Sequence, residues 1–258
     1  MSTSASACDR IPEIMRDLRR RYLPKGDLRD GSTALAKIST ATEDPFHVLV
    51  GTILSQRTRD EMTEKATDQL FARYADARAL ADAEPADVER LIRPVGFYHQ
   101  KAPQIQRVSR ILVERYGGRV PSTYEALMDL PQVGSKTANC VLVYGFGIPR
   151  IPVDTHVHRV SNRLGLVSAK TPEKTEAALM AVVPRRYWLA VNELFIAFGK
   201  DVCRPIRPRC EACSFRPFCK YFRTYVRRQT WWERRTRQAA RAAPPARGSK
   251  GHAGSSAK

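Results

Sequence analysis

The amino-acid sequence predicts an all-α fold, built as two helical lobes with a cleft between them. Up to residue 222, apolar residues recur at helical spacing, and no run alternates apolar with polar residues as a half-buried strand would. Helix-start signals precede several of these stretches. A tight turn containing Pro131 and Gly134 lies near the middle of the chain, which suits a site between two lobes.

Each expected helix has a local reason in the sequence. Asp44 and Pro45 supply an N-cap and a first-turn proline to a nearly all-apolar helix that we expect to be central. Ser122 and Glu125 have the spacing of a capping box. A further helix is expected to start at Asp154. The remaining segments at helical spacing are 11–22, 46–54, 61–74, 85–92, 100–116, 122–130, 135–146, 172–182 and 188–198.

The charge indicates a polyanionic partner. The chain has 258 residues, enough for one large or two modest domains, and a formal net charge of +18 with a pI near 10.1. From residue 220 onward, eleven Lys and Arg against one Glu carry +10 of that charge. Residues 223–258 are poor in apolar residues and are expected to form a disordered basic tail. Within it, Trp231 and Trp232 either stack on a partner or belong to a short amphipathic extension.

Cysteine usage and hydropathy point to a reducing, intracellular location. No run approaches the 18 apolar residues of a membrane span, and the N-terminus lacks the apolar core of a secretory signal. Four of the six cysteines cluster near the end of the helical region. We therefore expect a protein of the cytoplasm or nucleoid, with no membrane partner, and a metal or cluster site instead of disulfides.

The turn at residues 130–138, L-P-Q-V-G-S-K-T-A, is followed by V-D-T-H at residues 153–156. This pattern predicts a helix, a hairpin turn and a second helix starting near Ser135. The backbone N–H groups of Val133, Gly134 and Ser135 would face a phosphate, as helix starts attract anions. Lys136 lies in the first turn, where the helix dipole disfavours a second positive charge and favours the neutral, nucleophilic amine.

These motifs, with four cysteines near the end, resemble endonuclease III, a family of helix-hairpin-helix DNA glycosylases and AP lyases. The resemblance covers roughly residues 35–222. It implies a base-excision repair enzyme that removes oxidised or damaged pyrimidines from double-stranded DNA and nicks abasic sites, acting as a monomer. The resemblance also divides the chain into four parts. Residues 1–36 are an N-terminal segment whose helix packs on the cluster domain, and residues 37–147 are a six-helix domain with the hairpin. Residues 148–222 are an iron–sulfur cluster domain, and residues 223–258 are the tail.

By this resemblance, Lys136 is the Schiff-base nucleophile and Asp154 the catalytic carboxylate. The amine would attack C1′ of the deoxyribose, expel the base and form an imine, after which β-elimination breaks the strand. A carboxylate facing an oxocarbenium-like centre stabilises the developing charge. The simpler alternatives are a lysine that contacts phosphate and an aspartate that only caps a helix. His156, two residues further on, is a weaker candidate for the base pocket.

Cys203, Cys210, Cys213 and Cys219 have the spacing of the [4Fe-4S] loop of the same family. Zinc remains an alternative, because a C-x2-C pair is also common in zinc sites. The first gap of the loop is basic and is expected to contact the DNA backbone through Arg204, Arg207 and Arg209.

Two further loops resemble the segments with which the family opens the duplex. Gln56, at the end of the central helix, resembles the family's wedge glutamine. Phe97, Tyr98 and His99 match the second intercalating loop, in which many members have Leu and Asn where this chain has Phe97 and His99. Extruding a nucleotide leaves a gap that such side chains fill. Ordinary capping and core packing is the alternative for both loops.

Three other functions compete with this interpretation. Thymine or uracil mismatch glycosylases share the fold and the cluster but lack the catalytic lysine, so Lys136 argues against them. Adenine-specific mismatch glycosylases carry an extra C-terminal recognition domain, which the basic tail is too short to form. A noncatalytic helix-hairpin-helix module would bind DNA but would need neither Lys136 nor Asp154.

Overall fold

The computed structural model describes residues 8–24, 33–42 and 44–226, and every regular element among them is helical. The all-α prediction is confirmed. The twelve α-helices of the described residues are α1 Ile11–Tyr22, α2 Ala34–Thr42, α3 Pro45–Ser55, α4 Asp60–Phe71, α5 Ala77–Ala81, α6 Pro85–Leu91, α7 Tyr98–Tyr116, α8 Tyr124–Met128, α9 Ser135–Cys140, α10 Thr155–Leu164, α11 Pro172–Val182 and α12 Trp188–Asp201. None of the described helices is long and apolar enough to cross a membrane.

Several helix starts follow the expected chemistry. The Asp44 carboxylate accepts a hydrogen bond of 2.8 Å from the backbone N–H of Phe46, and Pro45 occupies the first turn of α3. Thr171 caps α11 in the same way, accepting from the N–H of Lys174. α3 is buried along most of its length, which confirms that this helix is central.

Two large apolar clusters organise the chain. The first is built from α3 to α9 and has Leu49, Ile53 and Leu112 at its centre, all with no exposed area. The second joins α1 to α10, α11 and α12, and it reaches Cys219 of the cysteine loop. The N-terminal helix therefore packs on the part of the chain that contains the clustered cysteines. The predicted division at residue 36 falls inside α2, and the domain boundaries stay a prediction.

A buried polar network joins α12 to Thr33, which precedes α2, and to Tyr144. The Glu193 carboxylate of α12 accepts from the backbone N–H and hydroxyl of Thr33, at 3.1 and 2.6 Å, and from the Tyr144 hydroxyl at 3.3 Å. The Tyr144 hydroxyl also contacts Asn192 Oδ1 at 3.0 Å. Burial raises the pKa of Tyr144, so this phenol stays protonated and remains a donor. The network fixes α12 against the elements that line the cleft.

Some local expectations were wrong or incomplete. Helices α2 and α5 were missed: α2 is buried on most sides and has a weak polar face, and α5 has only five residues. The capping box at Ser122 does not form, because Thr123 is the N-cap of α8 and accepts from the N–H of Ala126. The helix after the hairpin continues beyond Cys140 as a π-helical segment, Val141–Gly145.

The terminal expectations lie largely outside the described residues. Residues 1–7 and 227–258, including Trp231 and Trp232, are among those that the structure does not describe.

Candidate active site and nucleic-acid interface

The predicted hairpin connects α8 to α9. The backbone N–H of Val133 donates to the carbonyl of Leu130 at 3.3 Å, and Gln132 between them adopts a left-handed backbone with φ of +65°. Gly134 is extended and is the N-cap of α9. Leu130 and Val133 are buried in the first apolar cluster. The turn is thus anchored by two apolar side chains, and Gln132 takes the strained conformation that one would assign to a glycine.

Ser135 has a partner that the sequence did not indicate. Its hydroxyl donates to the Glu176 carboxylate of α11 at 2.7 Å, and the Asn139 amide donates to the same carboxylate at 2.7 Å. Asn139 is fully buried. The side chain of Ser135 is therefore engaged within the protein, and a phosphate contact at this residue would use its backbone N–H. Glu176 connects the hairpin to the second lobe.

Lys136 and Asp154 line one cleft of about 940 Å³, together with Gln56, Arg57 and His156. The Lys136 amine makes no hydrogen bond or ion pair with any described residue. One Asp154 oxygen, Oδ1, accepts from the backbone N–H groups of His156 and Val157 at 2.9 and 2.8 Å. The second oxygen, Oδ2, has no donor among the described residues. Capping therefore uses only half of the carboxylate, and the other half stays available in the cleft.

The charges of Lys136 and Asp154 both act on the buried thiol of Cys140. Burial raises its pKa to about 11, with Lys136 lowering it and Asp154 raising it. Both charges therefore act on the same buried atom. Cys140 lies one helical turn after Lys136, and its thiol stays protonated, so it is an apolar wall of the cleft and not a competing nucleophile.

His156 is held in its neutral form. Its Nδ1 lies 3.1 Å from Arg159 Nη2, and a guanidinium can only donate, so Nδ1 accepts and the ring proton belongs on Nε2. Burial, opposed by Asp154 and assisted by Arg159, lowers the pKa of His156. The close approach requires Gly199, because a Cβ at that position would lie 2.7 Å from Nδ1.

The two predicted intercalating loops lie side by side at the end of α3 and the start of α7. Phe97 is about half exposed (53%) and has a left-handed backbone, with φ of +58°. The Tyr98 ring stacks on His99, and His99 contacts Glu89 at 2.7 Å. We call these two loops the rim. The Gln56 amide donates a hydrogen bond of 3.4 Å to the carbonyl of Gln132, which connects the rim to the hairpin.

A buried lysine holds this rim together. The ammonium of Lys101, whose residue is only 5% exposed, donates to the carbonyls of Leu54 and Gln56 and to the Thr58 hydroxyl, at 2.7, 2.6 and 3.0 Å. Burial lowers the pKa of Lys101 to about 8. Thr58 in turn accepts from the N–H of Gly96 at 3.2 Å. Both loops are therefore fixed by a single cation.

The four clustered cysteines are brought into one neighbourhood. Burial raises the pKa of Cys210, Cys213 and Cys219, and mutual charge repulsion among the thiols raises it further. Arg163 of α10 contacts Cys203 Sγ at 3.8 Å and donates to the loop carbonyl of Arg204 at 2.6 Å. In the described part of the chain, no group of three or more His, Cys, Asp or Glu is arranged to hold a metal ion.

The three arginines of the cysteine loop differ in their surroundings. Arg204 donates to the carbonyls of Lys200 and Asp201, at 3.3 and 3.1 Å, and Arg209 contacts the Asp201 carboxylate at 3.4 Å. Arg207 is exposed and has no hydrogen-bond or ion-pair partner among the described residues. Of the three, Arg207 has the guanidinium most available to a phosphate.

Comparisons with known proteins give matches in both sequence and overall fold. The model of the HhH-GPD superfamily of base excision DNA repair proteins matches residues 50–185, more than half of the chain. Endonuclease III of Thermotoga maritima is 52% identical over 180 residues, which are 70% of this chain and 84% of that protein. The chain belongs to the endonuclease III family.

Two further comparisons agree with this assignment. Endonuclease III homolog 1, chloroplastic, of Arabidopsis thaliana is 40% identical over 69% of this chain, which spans only about half (49%) of that relative. A solved structure described as a trapped endonuclease III–DNA covalent intermediate with an estranged adenine superposes with a TM-score of 0.74 at 30% identity. It covers 88% of this chain and 100% of the other.

Sequence reasoning missed several residues of this endonuclease III-family site. Glu176 and Lys101 gave no local signal, since their partners are far away in the sequence. Lys200 and Asp60 form an ion pair of 2.6 Å beside His156 in the cleft. Arg57 lines the same cleft as its neighbour Gln56 and has a left-handed backbone, with φ of +53°, but only Gln56 was predicted from the sequence.

Proposed function

We propose that this chain is a bifunctional DNA glycosylase and AP lyase that acts on oxidised or damaged pyrimidines in double-stranded DNA. The observation that carries the proposal is the pair formed by Lys136 and Asp154. They line one cleft, the lysine amine is unpaired among the described residues, and one aspartate oxygen is open. A protein that only binds DNA needs neither group in a cleft.

In the proposed reaction, the Lys136 amine attacks C1′ of the extruded nucleotide and the base leaves with the bonding electrons. The attached amine then loses a proton, and the C1′–O4′ bond breaks as the iminium forms, with O4′ gaining a proton. Asp154 Oδ2, an open acceptor in the same cleft, can take up the proton from the amine and pass it to O4′. Loss of the C2′ proton then expels the 3′ phosphate by β-elimination. Asp154 also opposes the positive charge that develops on the sugar.

His156 and the hairpin have supporting roles in this proposal. The protonated Nε2 of His156 would donate a hydrogen bond in the base pocket, since Nδ1 is occupied by Arg159. The N–H groups of Val133, Gly134 and Ser135 would clamp one phosphate. Arg204, Arg207 and Arg209 would neutralise the backbone beside the cluster, with Arg207 contributing most.

Cys203, Cys210, Cys213 and Cys219 would hold a [4Fe-4S] cluster. Their chemistry fits, because four thiols that no disulfide engages converge on one loop beside α10. When bound, the cluster would pin this loop to α10 and take no part in bond cleavage. Visible absorption with iron and acid-labile sulfide would support the cluster, and stoichiometric zinc would favour the alternative.

Borohydride trapping on an abasic duplex tests the lyase. The wild type should form a covalent protein–DNA adduct, and Lys136→Ala should not. Lys37→Ala is a matched control, because Lys37 lines the same cleft but is bound to Glu64 at 2.8 Å. An equal adduct from Lys136→Ala would exclude the proposed nucleophile. A wild type that binds DNA without forming an adduct would favour a mismatch glycosylase or a binding module.

A further inference from the structure

We infer that Ile206, at the tip of the cysteine loop, makes an apolar contact with a deoxyribose of the bound duplex, beside a phosphate that Arg207 holds. The cysteine loop is residues 203–219, and its tip is residues 205–208. The inference rests on the proposed function and deepens it, since that function assigns only charge contacts to this loop. The tip would supply affinity that salt does not screen.

Ile206 is exposed to an unusual degree for an isoleucine, a residue type that is most often buried. It is 80% exposed, the highest fraction among the large apolar side chains of the described residues, whereas Val182 and Met128 are 37% and 39% exposed. A single exposed apolar residue on a protein surface needs no explanation by itself. Here the exposed residue lies at the tip of a fixed loop among cations, so its surroundings decide what it can bind.

Hydrogen bonds fix the base of the loop below the tip. The N–H of Arg209 donates to the carbonyl of Val202 at 2.9 Å, which closes the loop, and Arg163 Nη2 donates to the carbonyl of Pro205 at 2.8 Å. Arg207 has a left-handed backbone, with φ of +49°, which costs energy for a residue other than glycine and persists only where surrounding contacts impose it. The tip is therefore formed before DNA binds, and its contacts cost little ordering.

The loop begins at the edge of the cleft that contains Lys136. Arg159 connects the two, because its Nε donates to the carbonyl of Cys203 at 3.1 Å and its Nη2 donates to Nδ1 of His156 at 3.1 Å. His156 lines the cleft, as does Lys200, three residues before the loop. A duplex that places a nucleotide in this cleft would therefore pass beside the loop.

The neighbours of Ile206 favour a nucleic-acid backbone over a protein as its partner. Arg204, Arg207 and Arg209 are exposed around it, and Arg207 has no hydrogen-bond or ion-pair partner in the described part of the chain. The core of a protein interface is apolar and poor in charge, whereas this loop offers one apolar side chain among three cations. The DNA backbone alternates phosphate with deoxyribose, whose C–H faces are apolar, and proteins contact both. Adjacent aliphatic and cationic residues match that alternation.

The two kinds of contact differ in their response to salt. Each phosphate that a cation neutralises releases counterions, so log affinity falls by about 0.9 for each unit of log salt concentration. Burial of apolar surface is non-directional and proportional to the area removed from water, and it releases no counterions. Ile206 and Arg207 are neighbours in the chain, yet their substitutions should therefore change different features of the same binding curve.

The test measures the affinity of the full-length protein for a duplex with a tetrahydrofuran abasic-site analogue at a series of salt concentrations. Ile206→Ala should bind roughly fivefold more weakly at every concentration, about what burying half of an isoleucine side chain supplies, with an unchanged salt slope. Ile206→Leu should bind within about twofold of wild type. Arg207→Gln should reduce the slope by about 0.9.

Val182→Ala is the matched control, because Val182 is also an exposed apolar residue but lies at the end of α11, roughly 15 Å of helix from Pro172 in the cleft. It should bind like wild type at every salt concentration. The thermal midpoint of Ile206→Ala should also match that of wild type, since the side chain is 80% exposed.

Three results would overturn the role of Ile206. They are equal affinity of Ile206→Ala and wild type, a reduced salt slope in Ile206→Ala, and an Ile206→Leu variant that binds as weakly as Ile206→Ala. The second would assign the loss to the charge of the arginines, and the third would mean that apolar area is not what was lost.

Cleavage of a natural abasic site with the protein in excess separates the inference from the proposed function. Once the DNA is saturated, Ile206→Ala should cleave at the wild-type rate, because Lys136 and Asp154 are intact. A wild type that binds but does not cleave would count against the proposed function, and the salt series would still decide the role of Ile206.

Discussion

Two lysines, one beside the predicted intercalating loops and one in the cleft, occupy opposite environments. Lys101 is buried at the rim, donates to three oxygens and has a pKa lowered to about 8. Lys136 lies in the cleft without a hydrogen-bond or ion-pair partner among the described residues. Below pH 8 Lys101 is mainly an ammonium group, whose three N–H donors meet the three oxygens and which has no lone pair for attack. Under the proposed function, burial alone does not mark the nucleophile, whereas an unpaired amine that shares a cleft with an open carboxylate oxygen does.

The largest effect should come from removing the cleft lysine. Lys136→Ala should lower the rate of abasic-site cleavage by on the order of 10³-fold or more, as loss of a covalent nucleophile does. Its thermal midpoint should change little, because no described contact is lost. Single-turnover kinetics with a melting curve would check both. A variant that cleaves within tenfold of wild type would mean that another amine performs the attack.

Asp154 allows capping and catalysis to be separated. Asp154→Asn keeps a good N-cap for α10 and should leave the free energy of unfolding nearly unchanged, while cleavage falls by about 10²-fold because the negative charge is lost. Asp154→Ala should lose about 1 kcal/mol of stability as well. Denaturant unfolding and single-turnover rates of both variants measure the difference. Full activity in the asparagine variant would reduce Asp154 to a helix cap.

Lys101→Ala should show the reverse pattern. It leaves the Leu54 and Gln56 carbonyls without their donor, and the free energy of unfolding should fall by about 2 kcal/mol. The borohydride adduct should still form, because the nucleophile is intact. A stably folded Lys101→Ala variant that forms no adduct would contradict the assignment of a structural role to Lys101 and of the nucleophile to Lys136.

The lowered pKa of Lys101 adds a pH signature. In the folded protein this group loses its proton near pH 8, and in the unfolded chain near its ordinary value of 10.5. The unfolded state therefore binds more protons between these values, and stability contributed by this site rises with pH across that window. The stability difference between wild type and Lys101→Met should increase from pH 8 to pH 10, by at most about 3 kcal/mol. A stability difference that does not change with pH would mean that Lys101 has an ordinary pKa in the folded protein.

The smallest effect concerns the hairpin. Glu176→Gln replaces the carboxylate that accepts hydrogen bonds from Ser135 and Asn139. Because a neutral acceptor binds these donors less strongly, the variant should bind an abasic-site duplex about twofold to fivefold more weakly. Glu173→Gln, three residues earlier on α11 and exposed, is the matched control and should bind like wild type. Equal affinity in both variants would mean that the hairpin needs no support from α11.

The sequence was most informative where chemistry is local. Asp44, Pro45 and Thr171 start helices through contacts within three residues, so their caps can be recognised without a fold. The spacing of the hairpin, of Asp154 and of the four cysteines is enough by itself to indicate the family. The helices α2 and α5 gave too weak a periodic signal, the first because it is buried on most sides and the second because it is short.

What the sequence could not supply depends on distant partners. Glu176 meets Ser135 across 41 positions, and Lys101 meets Leu54 across 47. Such residues become visible only when the folded chain shows which polar groups are already paired.

The most direct test of this account is to map the reduced covalent adduct on an abasic duplex by peptide mass spectrometry. This measurement detects an adduct on any lysine of the wild-type chain, including Lys101 and Lys37. The account predicts that the deoxyribose remnant is found on the peptide that contains Lys136. Its recovery on any other lysine would contradict the assignment of the nucleophile.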